Sequence, residues 1–184
     1  MVVLLVALLV GRAAGGALGA LRSLPLQAPQ LVVAALLVQL VGAVVGGPVH
    51  PLGLAVSAVL VLTFLARNRG LRGTGLVAAG LLLNALVVGA NGAMPVSSGA
   101  AARAGLTLED LVVDARHEPA DEATRLRLLG DVVPVPLPLR AEVVSPGDVL
   151  VAAGLGQLVV AGMLACRRRT LPERVRLDRG SVQP

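Results

Sequence analysis

The sequence contains no tryptophan, tyrosine, lysine or isoleucine, and Phe64 is its only aromatic residue. Without aromatic rings there is nothing to stack on nucleobases, so the net charge of +5 does not mark a nucleic-acid binder. The same absence removes the Trp/Tyr belt that usually sets the depth of a membrane protein, a task left to arginines and helix caps. Cys166 is the single cysteine, which excludes an internal disulfide and a multi-cysteine metal site. It closes an apolar stretch beside Arg167, where either an inert thiol or a lipidated one is reasonable. Charged residues are also scarce, at 15% of 184, against 55% hydrophobic and a mean hydropathy of +0.83. A water-soluble domain of this length needs more polar surface, so the expected solvent is the bilayer.

Five apolar runs approach the length that a bilayer demands: residues 2–20, 31–47, 52–66, 75–94 and 149–166. The first must continue through Arg12 to cross. Nothing basic precedes Arg12, so a secretory signal peptide would lack its positive n-region and a retained helix is expected. The expected fold class is therefore all-α, a polytopic membrane helix bundle of about five transmembrane helices with an outer loop subdomain of short helices. Residues 1–94 hold the first four helices, 95–147 the outer loop subdomain lying on the bundle, 148–166 the fifth helix and 167–184 a basic tail. Threading five spans with the N-terminus outside puts eleven of the sixteen arginines and two of the eleven acids on the inner side. The positive-inside rule then gives a multi-pass plasma-membrane protein, N-terminus outside and C-terminus cytoplasmic. GGPVHP at 46–51, which includes His50, makes a tight outer turn and pairs the second and third spans as a hairpin.

Packing signals are sparse but readable. Gly11, Gly15 and Gly19 recur every four residues and would lie on one face of the first span, where small residues let backbones approach. Gln39, Asn84 and Gln157 fall near the middle of three different spans. They read as interhelical hydrogen-bonding glue, or as the polar cluster of a small transporter. No acid lies at the centre of any span, which argues against a proton relay or cation pump.

The outer segment carries most of the chemistry. Ser145-Pro146-Gly147-Asp148 places serine at the N-cap, proline at N1 and an acid at N3, the order that opens a helix. Asp131 follows Gly130 at the end of an expected amphipathic helix over 120–130, where a turn acid is ordinary. SSGAAARAG reads as a short serine-capped helix, TLEDLVVDARH as a second, and VVPVPLPLR as extended chain. His117 stands without a second histidine near it in sequence, and no metal-ligand spacing, nucleophile elbow or phosphate loop occurs. No metal or cofactor is expected.

The segments NALVVGANGAMPV, LGDVVP and VSPGDVLVAAG, with His117 and Thr124 between the first two, resemble an uncharacterised family of small bacterial, mostly actinobacterial, multi-pass membrane proteins that share a domain of unknown function. The resemblance covers nearly the whole chain and implies a plasma-membrane protein, with no activity or catalytic residue to carry over. A more distant likeness is to signal peptidase II, a small bundle with two outer aspartates, the second leading into a final span. There the first aspartate follows Gly-Asn and precedes arginine, whereas this chain reads GDVV. The expected function is a non-enzymatic scaffold, accessory or sensor component, with Arg167, Arg168 and Arg169 drawn to anionic lipid. The alternatives are an aspartyl hydrolase using Asp131 and Asp148, or a small transporter.

Overall fold

Apolar runs rich in leucine, valine and alanine form the long helices, and their prolines fall in first turns, where a missing N–H costs nothing. The computed structural model describes residues 2–47, 49–107, 117–136 and 141–169. Its helices are α1 (Val2–Ala13), α2 (Gln30–Val45), α3 (Val49–Arg67), α4 (Thr74–Asn91), α5 (Ser98–Ala104) and α6 (Pro146–Arg169). Short 3-10 turns span Leu18–Ser23 and Arg127–Leu129, and among the described residues there are four three-residue strands: β1 (Met94–Val96), β2 (His117–Pro119), β3 (Val133–Val135) and β4 (Glu142–Val144). The protein is mostly helical. Two helices, Thr74–Asn91 and Pro146–Ala165, are long and apolar enough to cross a membrane, with mean hydropathies of 1.7 and 1.8. Among the described residues the other apolar helical stretches are shorter.

The first expected span does not form one helix. Gly15 adopts φ +81°, its N–H donates to the Arg12 carbonyl at 3.0 Å, and the Gly16 N–H donates to the Gly11 carbonyl at 2.8 Å. This pair of bonds closes α1 as a Schellman motif. The Ala17 N–H then crosses to the Met163 carbonyl of α6 at 3.1 Å. Gly11, Gly15 and Gly19 therefore share no helix face. Gly11 and Gly16 press on the fully buried Met163, while Gly15 and Gly19 are exposed.

Three helices pack through bare backbone. Gly73 and Gly80 of the α4 strip face Gly154 and Gly147 of α6 in antiparallel order, each pair seven residues apart. A methyl group at Gly154 would sit 2.6 Å from the Gly73 carbonyl oxygen, and one at Gly147 would sit 2.7 Å from that of Gly80. Gly73 precedes α4 at φ +97°, a conformation that other side chains rarely adopt. On its other side α6 runs parallel to α1: Gly156 faces Val3 and Ala7, and Met163 faces Gly11. The α2–α3 hairpin packs on itself, with Gly53 against Val38 and Gly42. Large side chains remain outside: Leu36, Leu40 and Val44 of α2 are 61%, 61% and 78% exposed. Asn68, buried after α3, ties the hairpin to the preceding linker. Its amide donates to the Gln27 and Phe64 carbonyls at 2.9 and 2.8 Å and accepts the Gln27 N–H at 2.9 Å.

The segment after α4 folds against the ends of α4 and α6. β1 pairs in parallel with β2 on one side, and with Asp131 on the other; β3 and β4 form an antiparallel pair beside α5. The Ser97 hydroxyl caps α5, accepting the Ala100 N–H at 3.3 Å. The amphipathic helix expected over 120–130 is absent. Asp121 instead folds a turn, accepting from the Ala123 N–H and the Thr124 hydroxyl at 2.9 Å each, and Leu126 takes φ +55°. Asn91 occupies both main-chain groups of Arg125, accepting its N–H at 2.8 Å and donating to its carbonyl at 2.9 Å, which leaves neither for a helix. The helix expected in TLEDLVVDARH, and residues 137–140 of the extended run, lie outside the described residues.

The glycine strip yields a comparison. Gly80→Val meets the Gly147 carbonyl and Val151 directly, whereas Gly89→Val points into open space. Gly80→Val should cost about 1–3 kcal/mol by overpacking, read as a lower unfolding midpoint by circular dichroism in detergent. Gly89→Val should leave that midpoint within a degree or two of the parent, and equal shifts in both variants would refute the seam.

Candidate functional site

At the start of α6 the Ser-Pro-Gly-Asp order produces a reciprocal cap. The Asp148 N–H donates to Ser145 Oγ at 2.9 Å, and the Ser145 N–H donates to Asp148 Oδ2 at 3.1 Å, with Pro146 between them as the first helical residue. Asn84 of α4 joins them because Gly80 and Gly147 let the two helices touch: its amide donates to Asp148 Oδ1 at 2.8 Å. The Ser145 hydroxyl, fully buried, lies 2.8 Å from Asn84 Oδ1 and 2.9 Å from Asp148 Oδ2, and its one proton serves one of them at a time. Both oxygens of the Asp148 carboxylate are thus engaged by described donors.

Asp131 is built differently. A side chain at Gly130 would strike Pro95, so the glycine lets this strand lie against β1. The Asp131 N–H donates to the Pro95 carbonyl at 2.8 Å, and its own carbonyl accepts the Ser97 N–H at 2.9 Å. The residue is 4% exposed. His117 Nε2, arriving on β2 from across β1, lies 3.5 Å from Asp131 Oδ2. Burial, and after it the negative charge of Asp148, push the Asp131 carboxyl up to about 7. The two aspartates that the sequence sets seventeen positions apart therefore feel each other's field. Near neutrality this carboxyl is poised between its protonated and ionised forms, with the imidazole of His117 beside it.

The three amides expected at one depth do not meet. Gln39 and Gln157 are exposed, and Asn84 is committed to the α6 cap. The side chains of His50, Cys166, Arg167, Arg168 and Arg169 lie outside the described residues. Among the described residues, no group of three metal-ligating side chains assembles. Sequence reasoning missed Asn68 and Asn91, whose amides hold distant main chain, and the burial of Asp131. The signal for Asn91 was its position as the last residue of an apolar helix, directly before glycine. Beside Asn91 opens a groove of about 350 Å³, walled by Pro95, Glu118, Asp121, Thr124 and Arg125 among others.

The sequence profile of a family of unknown function (DUF5317) matches residues 23–160, a range that includes Asn84, His117, Asp131, Ser145 and Asp148. An uncharacterized protein from Thermotoga maritima is 36% identical over 121 residues, covering 65% of this chain and 67% of that protein. No solved structure matches.

The raised Asp131 fixes the sign of a pH effect. Between about pH 4 and 7 the folded chain binds a proton at this position that the unfolded chain has released, so its contribution to stability falls as pH rises through that window and levels off above 7. Unfolding midpoints measured at pH 4.5 and pH 8 should diverge less in Asp131→Asn than in the parent, with the variant gaining at pH 8. Identical pH slopes would show that this carboxyl titrates normally.

Proposed function

We propose that this chain, which belongs to the DUF5317 family, is a multi-pass protein of the bacterial plasma membrane and serves there as a non-enzymatic scaffold, accessory or sensor component. The observation that carries the reading is the band of leucine and valine side chains left on the outside of α2, α3 and α4, around helices packed through glycine. Water would penalise that arrangement at roughly 25 cal/mol per Å² of apolar surface, and lipid would not. Five crossings, by α1, α2, α3, α4 and α6, agree with the helix directions: α1 is parallel to α6, α4 is antiparallel to it, and α2 and α3 form a hairpin. Such a thread leaves the N-terminus and the 95–147 segment outside and the arginine-rich end inside, where Arg167, Arg168 and Arg169 would meet anionic headgroups.

Within that class the sensor role has the strongest chemical support. A buried carboxyl poised near neutrality touches a half-exposed histidine on a separate strand, so protonation changes how β2 is held against β1. A second reading, an aspartyl hydrolase built on Asp131 and Asp148, draws on the influence of Asp148 on Asp131. Against it stands the structural commitment of the Asp148 carboxylate to Ser145 and Asn84. The transporter reading gains nothing from the exposed Gln39 and Gln157.

Periplasmic and cytoplasmic reporter fusions test the topology. Fusions after residue 106 should report an outer location and fusions after residue 170 a cytoplasmic one, with the chain sedimenting with membranes. The opposite pattern would overturn the assignment. Proteolysis of membrane-anchored peptides by the purified protein, abolished in Asp131→Asn and in Asp148→Asn, would replace the sensor with the hydrolase.

A further inference from the structure

The groove beside Asn91 holds charges of both signs that do not neutralise each other. Glu118 projects from β2 and Arg125 from the turn after Asp121; both are exposed, and neither side chain makes an ion pair or hydrogen bond with any described residue. Their frame is rigid. Asn91 holds the Arg125 main chain at both its N–H and its carbonyl, while the Asp121 carboxylate and Thr124 hydroxyl bond each other and close the intervening turn. Hydrogen bonds to Thr124 and to main-chain N–H groups hold the Asp121 carboxyl below its usual range, which keeps it ionised. One of its two oxygens, Oδ2, takes no part in that turn. The floor is the end of α4, Ala90 and Asn91, where a membrane-length helix gives way to the outer segment.

We infer that this groove binds the headgroup of a phosphoethanolamine lipid from the outer leaflet, Arg125 receiving the phosphate and the Glu118 carboxylate, with Asp121, receiving the ammonium. The inference rests on the membrane reading given above and adds a ligand to it. A planar guanidinium suits phosphate oxygens. An ammonium donates hydrogen bonds to carboxylates, whereas the trimethylated amine of a choline lipid cannot, and a glycerol headgroup has no cation to offer. A volume of about 350 Å³ is ample for the headgroup and leaves the acyl chains beside α4, against the exposed Leu82 and Leu86.

Native mass spectrometry of the full chain, released from detergent containing equimolar phosphoethanolamine, phosphoglycerol and phosphocholine lipids of identical acyl chains, tests this. The parent should retain the phosphoethanolamine lipid about two- to fivefold over the other two, the range of one exposed charge-assisted contact. Glu118→Gln should bring it down to the level of the others, and Arg125→Gln should weaken all three. Both positions are exposed and make no pair with any described residue, and unchanged unfolding midpoints establish that the variants fold. Equal retention of the three lipids by the parent, or a preference that survives Glu118→Gln, overturns the assignment. So does soluble phosphoethanolamine that displaces the lipid at equal concentration, because the ligand would then be a free small molecule. A chain extracted by alkaline carbonate overturns the membrane reading together with the lipid source, whereas a chain that stays in the membrane without the preference overturns the groove alone.

Discussion

The contact between α4 and α6 is made by main chain on both sides. Gly73 and Gly80 meet Gly154 and Gly147, so the two helix axes approach more closely than any pair of side chains would allow. Under the proposed membrane reading, lipid leaves no hydrophobic force to drive helices together, and close dispersion contact of this kind supplies the attraction instead. The consequences run outward along the seam. One turn past Gly80, Asn84 reaches the opening of α6 and completes the hydrogen bonds of the Ser145–Asp148 cap. That cap fixes where β4 ends, and the β3–β4 pair with α5 then backs the strand that carries Asp131. Spread the helices by one methyl group and Asn84 loses its reach to the Ser145–Asp148 cap.

The electrostatics at this end follow from two different solutions to holding a carboxylate. Asp148 sits at a helix start, exposed, with donors from Ser145 and Asn84 and the positive end of the helix to support its charge. Asp131 sits where its own N–H is committed to pairing with β1, so burial raises its carboxyl, and among the described residues the imidazole of His117 lies against it. Two acids of the same type are thus held in different ways, one by donors at a helix start and the other by burial against β1.

Some of this was legible in the residues. Ser145-Pro146-Gly147-Asp148 announces a cap because each position has its own local physical reason, and local reasons need no knowledge of the fold. Apolar runs announce helices, and SSGAAARAG its short capped one, for the same cause. What escaped depends on distant partners. Gly11, Gly15 and Gly19 keep a four-residue period, yet Gly16 adds a second main-chain bond that ends the helix at Ala13. The run 120–130 suggests an amphipathic helix, but Asn91, thirty-four residues away from Arg125, outbids the helix for that residue's N–H and carbonyl. The burial of Asp131 could not be read from its neighbours, since what covers it arrives from β1 and β2.

Asn68 and Asn91 both grip main-chain atoms and make no demand on the side chains of the residues they hold, Gln27 and Arg125. Substituting either asparagine would unmoor a whole segment, whereas almost any residue other than proline at 27 or 125 keeps the same grip. Position 125 is thus a rigidly mounted socket whose fitting is interchangeable. Descendants of this fold can swap what they present at the mouth of the groove, altering its chemistry within a single codon, without reopening the problem of how the outer segment folds.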